Sequence, residues 1–179
     1  MDSTGWVSRH CRFAANARTE EEILEALRQH SKASREERRI AFDSESGERI
    51  SDAVGTTEGI EPASPVEDSA FKRWLSSKTV DFHTHPDESG PSDADWGVFC
   101  WPNIVRMVVV TKSGRTYSME KTPAWEAIPW QARTPRIVRK RWNDLSGELF
   151  GDQEKTTEQV IDDINAQLAR EFRIKLTVG

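Results

Sequence analysis

Long apolar stretches are missing from this chain of 179 residues, where no run approaches the roughly twenty consecutive apolar positions of a membrane-crossing helix. Mean hydropathy is -0.69, and Met1 to Arg18 has no apolar core of the signal-peptide kind. A cytoplasmic protein without membrane contact is expected. Cysteine is scarce too. Cys11 and Cys100 lie far apart and outside any Cys-x-x-Cys spacing, so neither a disulfide framework nor a thiolate zinc site is indicated. The net charge of -5 supplies no general attraction to nucleic acid. Internal repeats and low-complexity tracts are absent. Histidine is also rare, with four in the chain and none after His85.

What is present is enough for a core. A hydrophobic fraction of 36% with seven tryptophans supports one folded domain with appendages rather than disorder. The most informative stretch is Val80-Asp81-Phe82-His83-Thr84-His85-Pro86, followed by Gly90-Pro91-Ser92-Asp93-Ala94-Asp95. Alternate residues of a strand point the same way, so His83 and His85 converge on extended backbone, whereas i and i+2 on a helix diverge. Pro86 cannot donate to a sheet ladder and should end the strand, and Asp87 to Pro91 has the composition of a turn. Ser92 is then the N-cap of a helix, with Asp95 in its first turn, facing back toward the strand end. Catalytic zinc takes three such ligands and keeps a fourth position for water, whose pKa falls from about 15.7 to roughly 7. Alone, Ser92-x-x-Asp95 reads as little more than a helix cap and His-x-His as a packed pair. Together they read as a metal site.

This segment resembles the JAMM motif of the MPN-type metalloprotease family: His-x-His-Pro, a short spacer, then Ser-x-x-Asp. The spacer here, Asp87 to Pro91, is shorter than is usual in the family. The resemblance covers roughly Glu36 to Glu120, and it implies a mixed α/β, cytidine-deaminase-like fold, with a central mixed sheet flanked by helices. Zinc bound by His83, His85 and Asp95 is implied, with Ser92 stabilising the oxyanion of a tetrahedral intermediate. It also implies a glutamate on an earlier strand as general base. Glu37 is favoured, because Glu37-Arg-Arg-Ile-Ala-Phe-Asp43 and the turn to Ile50 resemble the glutamate-opened first strand and hairpin of bacterial and phage relatives. Glu36 is the alternative, while Glu45, Glu48 and Glu58 fall in predicted turns. The substrate implied is a protein or peptide, such as a ubiquitin-like conjugate, and a protein partner or homo-oligomer is compatible with the family.

The remaining chain divides into a loose head over 1–18, the metal-bearing domain over 19–122, and a linker with a C-terminal helical extension over 123–179 that is expected to pack on the domain. Thr19 with Glu22 forms a capping-box pattern, opening a helix to about His30 with Ile23, Leu24 and Leu27 on its apolar stripe. Ile40 to Phe42 suits a strand, and Glu58 to Glu67 is irregular. Phe71, Trp74 and Leu75 suit a helix. Trp96 to Trp101 continues the helix opened by Ser92, with Cys100 buried in it. Met107 to Val110 and Thr116 to Ser118 suit a hairpin. Thr134-Pro135 starts a helix with Ile137, Val138, Trp142, Leu145 and Leu149 as its apolar face and Arg136, Arg139, Lys140 and Arg141 as a basic patch. A last helix begins at Thr157, and Arg173 to Val178 alternates as a terminal strand.

Two other functions compete with a zinc peptidase or isopeptidase. A metal-dependent phosphoesterase or amidohydrolase barrel shares the strand-end His-x-His, but collects further histidines from later strands and needs about 250 residues. An inactive MPN-type scaffold is the other, favoured only if the glutamate is absent.

Overall fold

Chemically alternating strands and three well-capped long helices build the molecule, described by a computed structural model for residues 19–54, 74–150 and 155–179. Chain order is α1 (Glu20–Ala33), β1 (Arg38–Asp43), β2 (Arg49–Val54), β3 (Thr79–Thr84), α2 (Asp93–Phe99), β4 (Ile104–Val110), β5 (Thr116–Glu120), α3 (Pro123–Glu126), α4 (Pro135–Leu149), α5 (Thr157–Glu171) and β6 (Lys175–Val178). The expected head over 1–18, the stretch Glu58 to Glu67, and Phe71 lie outside the described residues.

Among the described residues the fold is mixed α/β, with one six-stranded sheet in the order β2-β1-β3-β4-β5-β6. Only β3 and β4 are parallel, and α2 lies in the crossover between them. All other neighbours are antiparallel. Period-2 alternation divides the core between the two faces. Ile40, Phe42, Phe82 and Val108 pack with Ile23 and Leu27 of α1. Met107, Val109, Tyr117 and Met119 face α2, α4 and α5, where Trp96, Phe99, Val138 and Ile164 complete a larger cluster.

The helix ends follow from their caps. Both halves of the Thr19–Glu22 capping box form. At the other end α1 runs to Ala33, past the expected His30, because the Lys112 ammonium donates to the carbonyls of Ser31, Lys32 and Ser34. Helix α2 stops at Phe99 rather than Trp101, with Cys100 as its C-cap. Cys100 is buried as expected, and that burial pushes its thiol up to about 12.

Two features of the C-terminal third differ from expectation. Ile137 is 42% exposed, since the stripe at i, i+4, i+7 and i+11 starts with Val138 and runs through Trp142, Leu145 and Leu149. The basic patch is largely neutralised: Arg139 pairs with Asp93, Lys140 with Asp144, and Arg141 with Glu171. The segment after Thr122 is tightly packed, because Trp125 of the short α3 is fully buried between Phe99 and Phe172. The C-terminal segment therefore shares a core with the sheet, and β6 adds a strand beside β5.

Replacing Trp125 by Ala should cost about 3–5 kcal/mol, read as a shift in the urea midpoint. A loss below about 1 kcal/mol would show that this segment lies on the core without belonging to it.

Candidate metal centre

Strand β3 is buried at every position, and its polar residues alternate. Asp81 and His83 leave the same face, and His85 continues that phase one residue beyond the strand. The His85 N–H donates to the Val110 carbonyl at 2.8 Å, so the ladder with β4 holds the second histidine in extended geometry before Pro86 ends it.

The loop from Asp87 to Pro91 is fixed from several sides. The Ser89 N–H donates to Asp87 Oδ1 at 2.9 Å, closing a local turn. A Cβ added at Gly90 would lie 2.9 Å from the Tyr117 ring, so only glycine fits there without displacing a core aromatic. The Pro91 carbonyl accepts from Asn165 Nδ2 at 3.1 Å, and the carbonyl oxygen of that buried amide accepts from Trp96 Nε1 at 2.5 Å. Helix α5 thus grips both sides of the Ser92 cap.

Ser92 and Asp95 complete a capping box. Asp95 N–H donates to Ser92 Oγ at 3.3 Å, while the Ser92 N–H and hydroxyl both donate to Asp95 Oδ2 at 2.7 Å. The short aspartate does the work usually given to Glu or Gln. The same carboxylate turns toward the strand end. Its Oδ1 lies 3.0 Å from His83 Nε2 and its Oδ2 lies 3.2 Å from His85 Nε2.

Hydrogen bonding fixes the ring tautomers. His83 Nδ1 lies 3.2 Å from Asp81 Oδ1, and His85 Nδ1 lies 3.0 Å from the Ser89 carbonyl. A carbonyl or an ionised carboxylate only accepts, so both Nδ1 atoms carry hydrogen, leaving each neutral ring's Nε2 lone pair toward Asp95. The buried Nε2 of His83 has no aligned hydrogen-bond partner among the described residues, despite its closeness to Asp95. Ligand atoms about 2.0–2.1 Å from a tetrahedral ion stand roughly 3.3 Å apart. The observed His–Asp separations are close to that. His83, His85 and Asp95 can therefore hold a metal ion, as their ligand atoms lie within 4.8 Å of one another.

Burial opposes the His83 imidazolium, but Asp95 and then Asp81 outweigh it and push the group up to about 10. His85 is likewise raised, with Asp95 overcoming burial. Burial would raise Asp95, yet the two histidines hold it well below the usual carboxylate range.

Glu37 lies one residue before β1, with the parity of Arg39 and Ala41. Arg39 pairs with His83 in the antiparallel register, so the same alternation carries Glu37 toward His85. It is half-buried, while Glu36 is exposed. Burial raises the Glu37 pKa; His85 and His83 pull against that, and Asp95 adds to it. Of the two candidate bases, Glu37 is the one that meets the site's charges. Glu45 and Glu48 lie about the β1–β2 turn, and Glu58 is outside the described residues. His30 is occupied by the Glu36 carbonyl at 3.0 Å.

Sequence reasoning missed Asp81 and Arg39. Arg39 Nε donates to Asp81 Oδ2 at 2.6 Å, fixing the aspartate that orients His83. The signal was present as Asp-x-His-x-His, three polar residues on one strand face. Compared with known proteins, the chain matches no family model, no curated protein and no solved structure.

The His83 shift gives a pH test on metal-free protein. A raised folded pKa stabilises fully below the unfolded value of about 6.5, and this contribution is lost as pH rises through about 10. The stability difference between wild type and His83→Gln should therefore shrink between these pH values. A difference that is constant in chelator-treated protein would contradict the imidazolium–carboxylate pairing.

Proposed function

We propose that this chain is a zinc-dependent hydrolase of the JAMM type, cleaving a peptide or isopeptide bond. The observation that carries this reading is the half-buried Glu37 beside a group of two histidines and an aspartate. His83, His85 and Asp95 would hold the ion. Two imidazoles, one carboxylate and no thiolate make a donor set that suits catalytic zinc.

When bound, zinc supplies Lewis acidity and brings the ionisation of water toward neutral pH. The remaining steps fall to the chain. Glu37 accepts the proton of the attacking water on its carboxylate and delivers it to the departing amine nitrogen. Burial raises its proton affinity toward the range in which one group can do both. Ser92 donates to the developing oxyanion. Its hydroxyl now points to Asp95 Oδ2, which keeps the Ser92 backbone N–H when the hydroxyl turns away. Asp81 holds the His83 ring through Nδ1, and Arg39 holds Asp81.

The setting of Glu37 favours an enzyme over an inactive MPN-type scaffold. The phosphoesterase or amidohydrolase barrel loses its ground, because the sheet is open and mixed rather than an eight-stranded parallel barrel.

Purified protein should contain one zinc per chain, largely lost in a His83→Ala/His85→Ala variant. Equal zinc in both, or iron in its place, would overturn the metal assignment. Against a peptide library and ubiquitin-like conjugates, Glu37→Gln should retain zinc while losing at least a hundredfold in rate, in the range of roughly 10²–10⁴ for a lost general base. An active Glu37→Gln protein would move the base elsewhere.

A further inference from the structure

Arginines in this fold are used in two ways. Arg106 is consumed by structure: Nη1 and Nη2 clasp the Glu20 carboxylate at 2.8 and 2.6 Å, and Nε donates to Ser118 Oγ at 2.9 Å. Arg38 likewise spends Nε and Nη2 on Asp52. Arg39 differs. Its contact with Asp81 runs through Nε alone, and among the described residues Nη1 and Nη2 make no hydrogen bond.

Neutralising Asp81 accounts for only one edge of this guanidinium. Asp81 is fully buried and already divides its oxygens between Arg39 Nε and His83 Nδ1, whereas the Arg39 side chain remains 28% exposed. The register places Arg39 directly opposite His83, so it leaves the sheet on the face that carries the histidines. Asp95 and Glu37 both act electrostatically on it. A planar fork held by Nε and free at both terminal nitrogens is preorganised for bidentate recognition of a carboxylate. It also offsets the repulsion that Glu37 and Asp95 would exert on an acidic substrate.

We propose that Arg39 forms a subsite for a substrate carboxylate, so that the cleaved amide lies beside an acidic group. This rests on the zinc-hydrolase reading and names the substrate class for it.

The test uses zinc-loaded protein and two hydroxamates, succinic monohydroxamate and the same chain ending in a carboxamide, with affinities from calorimetry. Wild type should bind the carboxylate probe about tenfold more tightly or better, as one charge-assisted pair allows. Arg39→Gln should erase that preference, bringing the ratio of the two affinities to about one, whatever loss common to both probes follows from removing the partner of Asp81. Equal affinities in wild type would overturn the subsite and leave the zinc site standing, without recourse to any variant. A preference that survives in Arg39→Gln, shown by zinc content to keep its site, would also overturn it. If neither hydroxamate binds, no open metal position exists and the hydrolase reading falls with the inference.

Discussion

A strand buried on both faces cannot leave polar side chains unsatisfied, and β3 carries Asp81, His83 and, just past its end, His85. Each must be answered from within the protein. Arg39 answers Asp81, Asp81 and Asp95 answer His83, and the Ser89 carbonyl with Asp95 answers His85. The rest of the site follows from this chain of obligations. Asp95 can answer both rings only because Ser92 caps α2 and holds the carboxylate through two hydrogen bonds. Asp95 answers His83 Nε2 by charge without an aligned hydrogen bond, so that buried nitrogen could equally meet an ion.

The C-terminal segment belongs to this same arrangement. Asn165 of α5 bonds the Pro91 carbonyl and the Trp96 indole, bracketing the Ser92 cap on either side. Tyr117 closes the space beside Gly90 while its hydroxyl donates to Asp162 of α5 at 2.7 Å. The loop between histidines and aspartate is thus shaped by residues more than twenty positions downstream. Its brevity costs no order, because packing rather than length sets its path.

Much of this was legible in the chain, for identifiable reasons. His83, His85 and Asp95 could be read because strand alternation and helix capping are local, and each places a side chain within a few residues of its own signal. The parity that separates Glu37 from Glu36 is also local, but which face of β1 meets β3 depends on a pairing of residues some forty positions apart. In the sequence, resemblance alone singles out Glu37. Arg39 and Asp81 escaped for the same reason, since an Arg in an acidic and basic run looks solvated until register sets it against a buried strand. The extra turn of α1 was hidden too, because its cap is Lys112, about eighty residues away. Ile137 falls one position outside the buried helical stripe, an offset that only the neighbouring elements decide.

X-ray absorption at the zinc edge of metal-loaded protein bears most directly on whether β3 and α2 form a metal centre. Two imidazole shells with oxygen donors at about 2.0–2.1 Å, and no sulfur, is the result expected from His83, His85 and Asp95. Sulfur scattering, or a shell lacking imidazole, would contradict it.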